Sequence, residues 1–168
     1  MRNRFRSTGG VTLIEILTTV VIIGIVASMA VPRFETAWRR IKIRGADRNI
    51  VSTIRLARSM AITDKYLYGV YFDGNQQTMT LFKDIVNGGS NLFEAGDSVI
   101  RVDSLPCEFV YLGTDMSDDV LVFRANGSAG FTGGGNIFAV ADAVSVVAIL
   151  THNVLGSTGR VQSCASFY

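Results

Sequence analysis

The sequence predicts an α+β fold, a long amino-terminal helix laid against an antiparallel sheet of about six to eight strands. Three observations predict it. Residues 11–31 are a long apolar run with a single charge. From Phe34 to Ala61, apolar side chains recur at three- and four-residue steps. Beyond Tyr66 the pattern switches to alternation, with Gly, Asn and Asp collected between short runs.

The apolar run lies within "GGVTLIEILTTVVIIGIVASMAVPRF", and its only charge is Glu15. As a helix, 21 residues reach about 31 Å, enough to cross a hydrocarbon core of about 30 Å. The first ten residues carry Arg2, Arg4 and Arg6 and no acid. Such a flank orients the run with its amino end in the cytoplasm and the remainder of the chain across the membrane.

Pro32 has no backbone N–H to donate, so a kink or local opening is expected there. The helical pattern then continues through Phe34, Trp38, Ile41, Ile50, Ile54, Ala57 and Ala61, an apolar stripe. Gly45 weakens it by about 1 kcal/mol relative to alanine. One long, bent helix from about Leu13 to Asp64 is expected. The implied organisation is a leader over 1–10, a membrane helix over 11–31, an amphipathic helix over 32–65 and a β-rich domain over 66–168.

In that last part, "YLYGVYF" alternates and is rich in aromatic residues, "DGNQQ" reads as a turn, and "TMTLFKDI" returns as a hairpin partner. The Gly- and Asn-rich "NGGSN" follows. Further strands are expected at "SVIRVD", "EFVYL", "VLVFRA", "NIFAVAD", "VSVVAILTH" and "GRVQSCASF".

The formal net charge is +2. Without Arg2, Arg4 and Arg6 the chain keeps 13 basic and 14 acidic side chains, which argues against a general polyanion binder. The exception is the helix, where residues 33–65 hold nine Lys or Arg against three acids.

No catalytic constellation is found. His152 is the one histidine and falls within a strand, where a structural role is the ordinary one. "FTGGGN" lacks the Lys-Ser/Thr ending of a phosphate loop and reads as a connection between strands. "NGS" at Asn126 reads as a turn. No metal-ligand spacing occurs and no cofactor is expected; the chain is not expected to be an enzyme. Cys107 and Cys164 match neither a metal nor a redox spacing. Outside the cytoplasm they would be expected to pair, at up to about 4 kcal/mol. The alternative is two free buried thiols.

The amino terminus has three readings. A secretory signal finds small residues in "ASMAVP" but leaves a charge early in its apolar region. A plain anchor leaves Glu15 as an unexplained cost of about 2.5–3.5 kcal/mol. The third reading uses every feature. "STGGVTLIEIL" resembles the class III signal of type IV pilins and type II secretion pseudopilins: a basic leader, a glycine (Gly10), then an apolar residue (Val11, where phenylalanine is usual) and an acid fifth after the cut (Glu15). Gly24 and Pro32 also fall where many members have a glycine and a proline. "IRLARSMAITDKYLYGVYF", "FRANGSAGF" and "GSTGRVQSC" are similar to segments of the GspH/FimT family of minor pilins and pseudopilins.

The resemblance implies cleavage after Gly10 by a prepilin peptidase, methylation of Val11, and a salt bridge from Glu15 to the terminal amine of a neighbouring subunit. It implies a single-pass inner-membrane protein that passes, through an assembly platform, into a pilus or pseudopilus with other major and minor subunits. The basic helix face then has three uses: a solvated surface, contact with anionic lipid through Arg33, Arg39, Arg40 and Lys42, or pairing with acids of neighbouring subunits. The first and third together account for it best. Some relatives capture DNA through a carboxy-terminal G-R-x-R. Here Gly159-Arg160-Val161-Gln162 keeps Arg160 alone as a DNA contact, against the reading of a turn leading into the last strand. An anchored periplasmic protein outside any filament is the remaining alternative.

Overall fold

The computed structural model describes residues 10–86, 92–106, 108–131, 133–143 and 146–168. The basic leader with Arg2, Arg4, Arg6 and Gly9, the "NGGSN" loop and Cys107 lie outside the described residues. The chain forms two compact units, Met1–Trp38 and Arg39–Tyr168, and helix α1 (Leu13–Asp64) belongs to both.

The predicted helix bounds are met. Gly24, Pro32 and Gly45 all lie inside α1, which is assigned as one helix across them. A side chain at Gly45 would meet nothing within 4 Å, so its cost there is one of backbone entropy alone. The helix ends at Asp64. Lys65 then takes a left-handed φ of 56°, the conformation that commonly terminates helices. Tyr68, buried one turn on, donates its hydroxyl to Asp64. That bond, with burial and the Asp64 charge, pushes the Tyr68 pKa up to about 12.

Nine strands follow among the described residues, one more than the upper expectation, in two sheets. β1 (Tyr68–Asp73), β2 (Thr78–Lys83), β3 (Ser98–Ser104), β5 (Val120–Phe123) and the two-residue β6 (Ala129–Gly130) make the first, in the order β3-β2-β1-β5-β6. β4 (Phe109–Met116), β7 (Gly133–Ala143), β8 (Val146–Leu155) and β9 (Arg160–Phe167) make the second, in the order β4-β7-β8-β9. Every described pairing is antiparallel. The expected β1–β2 hairpin forms around "DGNQQ", where the Asp73 carboxylate accepts the N–H groups of Asn75 and Gln76, a local bond that favours turns.

A single core joins both sheets to the carboxy-terminal part of α1. It includes Ile43, Ile50, Ile54, Ala57 and Ala61 from the helix, Val70, Phe72 and Leu81 from the first sheet, and Leu112, Ile137 and Leu150 from the second. The far face of the first sheet makes a smaller cluster of Phe82, Val120 and Val122. Phe93 packs on it 4.9 Å from Phe82, ring centre to ring centre.

The helical stripe differs from expectation at its start. Phe34, Trp38 and Ile41 are 71%, 53% and 60% exposed. The buried stripe instead starts at Ile43 and Ala46. Ile41 and Ile43 are two positions apart, about 200° around the helix at 3.6 residues per turn, so only one of them can face the sheets. Lys42 beside them bonds Glu108, which is almost fully buried before β4, at 2.9 Å.

Candidate functional site

The first unit is dominated by uncovered apolar surface. Every large hydrophobic side chain from Val11 to Val31 is more than half exposed, and the helix is long and apolar enough to cross a membrane. A contiguous surface of this size calls for lipid or other chains around it. Its hydroxyls are satisfied within the helix. Thr18 donates to the Glu15 carbonyl, Thr19 to Ile16 and Ser28 to Ile25, at 2.8–2.9 Å, the back-bonding that makes such residues tolerable in lipid.

Gly10 and Val11 are exposed just before the helix. Thr12 is the residue that sequence reasoning passed over. Its hydroxyl accepts the N–H of Glu15 at 3.3 Å, as a helix cap does. Thr12-Leu13-Ile14-Glu15 has the S/T-x-x-E spacing of a capping box, so the signal was present. Glu15 therefore also has a local role, as an anion in the positive first turn of α1. Among the described residues no cation pairs with its carboxylate.

In the second unit Arg160 opens β9 beside the basic face of α1. Arg55, Arg58 and Arg160 line a cleft of about 400 Å³. Arg58 donates Nε–H to the Gly127 carbonyl at 3.0 Å, which fixes that wall. Gly159, at φ 62°, makes the turn into β9. Arg55 also borders a second cleft of about 530 Å³, shared with Arg48, Asp47 and Ser163. Sequence reasoning named Arg160 but did not see that residues a hundred positions earlier join it.

Cys164 is a free, exposed thiol on β9. This departs from both readings of the cysteines, since it is neither paired nor buried; Cys107 is outside the described residues. "FTGGGN" departs from the expected connection, since Gly133 to Asn136 are the first residues of β7 itself, and no metal-binding group of His, Cys, Asp or Glu occurs among the described residues.

His152 lies fully buried on β8, its Nε2 3.4 Å from Asp47 Oδ1 of α1. Among the described residues neither ring nitrogen nor that oxygen has a hydrogen-bond partner. Its ladder neighbours, Ile137 and Ser163, carry no charge. Burial pushes the His152 pKa below 6.5, and the Asp47 carboxylate pulls the other way. Once unfolded, the imidazole takes up its proton near 6.5, whereas the folded state resists it. The unfolded chain therefore binds more protons as pH falls below about 6.5, and stability falls with it. The urea midpoint should drop between about pH 7.5 and pH 5.5, and His152→Leu should flatten that slope. A midpoint that rises on acidification would mean that Asp47 outweighs burial.

No protein-family model matches the chain, and neither a curated protein nor a solved structure does.

Proposed function

We propose that the chain is a membrane-inserted subunit of the pilin kind, cut after Gly10, methylated at Val11 and incorporated as a minor component of a type IV pilus or a type II secretion pseudopilus, where it helps to initiate or support assembly. The observation that carries this reading is the state of Glu15. Over residues 11–31, where Thr18, Thr19 and Ser28 bond the helix backbone and the large apolar side chains are uncovered, it is the one charge, and no described cation pairs with it. A carboxylate at membrane depth costs about 2.5–3.5 kcal/mol on insertion scales. A cation from outside the chain offsets that cost. The amine freed on Val11 of a neighbouring subunit is such a cation, and the pairing sets axial register as subunits leave the membrane.

Glu15→Ala should leave membrane insertion intact and lower recovery of the subunit in sheared filaments by about tenfold or more, in line with 1.4 kcal/mol per decade. Glu15→Asp should keep part of the activity. Equal recovery of Glu15→Ala and the unaltered chain would refute the reading. Mass spectrometry of the mature amino terminus gives a second check, with a methylated Val11 expected first.

The cleft of Arg55, Arg58 and Arg160 favours a second reading, a minor pilin that holds DNA. Three guanidinium groups supply phosphate contacts that Arg160 alone does not. A gel shift that is equal for Arg160→Ala and the unaltered protein would remove it.

A further inference from the structure

The second sheet ends in an open edge. Among the described residues β9 is its last strand and pairs only with β8, without a bulge, over eight residues. Val147 and Tyr168 exchange both backbone hydrogen bonds, at 3.3 and 2.8 Å. In an antiparallel ladder, bonded and non-bonded pairs alternate. Ser166, Cys164, Gln162 and Arg160 therefore bond toward β8, and the N–H and C=O groups of Val161, Ser163, Ala165 and Phe167 point outward. β9 contains no Pro and no Lys and pairs with β8 without a bulge, so three devices that commonly blunt an exposed edge are missing.

Those four residues also share the face of β9 that looks toward the core, because their partners Val154, His152, Leu150 and Ala148 are all buried. Ser163 and Ala165 are nonetheless exposed. Their small side chains leave open the space between β9 and α1, and the two clefts that share Arg55 occupy it. Arg48, Arg55 and Arg160 form no ion pair among the described residues. The one acid among the described residues that line this groove, Asp47, is directed at His152.

From this we infer that the groove receives an extended acidic segment of a partner protein, added as a strand to the β9 edge. The outward main-chain groups supply the ladder, and alternate carboxylates on the α1 side of the partner meet Arg48 and Arg55, which present forked donors suited to carboxylates. The inference does not depend on the filament reading. A nucleic acid fits less well. The apolar walls of the two clefts are Val51, Leu56, Ile62 and Val161, and Phe167, further along the same face of β9, is covered by Arg44 at 5.3 Å, so no ring lines the clefts for a base to stack on.

The test uses the full chain in detergent micelles and a fluorescent peptide of alternating valine and glutamate, as long as β9. Fluorescence anisotropy should show saturable binding. The valine–lysine counterpart and single-stranded oligothymidine should bind about tenfold more weakly or not at all. Arg55→Glu should weaken the acidic peptide by about tenfold or more. Ser163→Pro should do the same, since it removes an outward N–H and leaves the β8 ladder intact. Gln162→Ala, on the outer face, should change nothing. Methylating alternate peptide nitrogens should abolish binding without altering the protein, which keeps the test decisive even if Ser163→Pro misfolds. Equal binding of the methylated peptide, or of the lysine peptide, would overturn strand addition of an acidic segment. Binding of the oligonucleotide alone would assign the groove to nucleic acid.

Discussion

Ile43→Ala should destabilise the carboxy-terminal unit by about 2–5 kcal/mol, and Ile41→Ala should leave it within about 0.5 kcal/mol. Both are isoleucines in the same two turns of α1. Ile43 is fully buried in the core that joins the helix to both sheets, while Ile41 is 60% exposed. Truncating Ile43 removes transferred apolar area and leaves a cavity that the packed residues around it close only in part. Truncating Ile41 removes atoms that water already reaches. Urea denaturation followed by circular dichroism measures both, with an unchanged m-value certifying that stability alone has shifted. Comparable losses from the two substitutions would mean that the helix sits on the sheets in a different register.

The same pair of residues marks the limit of what periodicity revealed. Ile50, Ile54, Ala57 and Ala61 were legible as a buried stripe because their spacing recurs over three turns. Upstream, Phe34, Trp38 and Ile41 continue an equally regular spacing, yet they are exposed. Spacing identifies an apolar face and not what covers it. The true continuation, Ile43 and Ala46, is made by a short side chain and a residue between two cations, Lys42 and Arg44, where no pattern stands out.

Strand positions were legible from alternation, and the DGNQQ turn from its Asp. The division into two sheets was not, because strand order depends on long-range pairings such as β1 with β5. β6, with two residues, is too short to carry a period. At the amino terminus, Glu15 stood out as a charge in an apolar run. Thr12 was hidden by being an ordinary threonine, although its cap bond lies three residues away. The arginine cleft was half visible. The basic face of α1 and Arg160 were each apparent, but only the folded chain brings Arg55 and Arg58 to the start of β9.

Gly159→Ala should cost about 2–4 kcal/mol, far more than the usual exchange of glycine for alanine. Two effects add there. Gly159 has a φ of 62°, in the left-handed region where a Cβ crowds the following carbonyl at roughly 1–2 kcal/mol. A Cβ would also meet the Gly127 carbonyl oxygen, part of the backbone, at 2.3 Å, with Phe123 and Arg58 at 3.0 and 3.1 Å. Neither side can yield locally. The Gly159 N–H is bound to the Leu155 carbonyl, and the Gly127 carbonyl is bound by Arg58. Moving the turn would pull Arg160 and Arg58 apart and open the cleft as well as the fold. Gly156, three residues earlier in the same connection, is the control. A Cβ there meets its nearest neighbour, Phe131, at 3.5 Å, an ordinary contact, and no left-handed φ is required. Gly156→Ala should therefore fall within about 1 kcal/mol of the unaltered protein. Thermal or urea unfolding of the two variants side by side decides the matter. If Gly159→Ala is as mild as its control, the β8–β9 turn does not pass beneath Gly127, and the walls of the arginine cleft are not held as described.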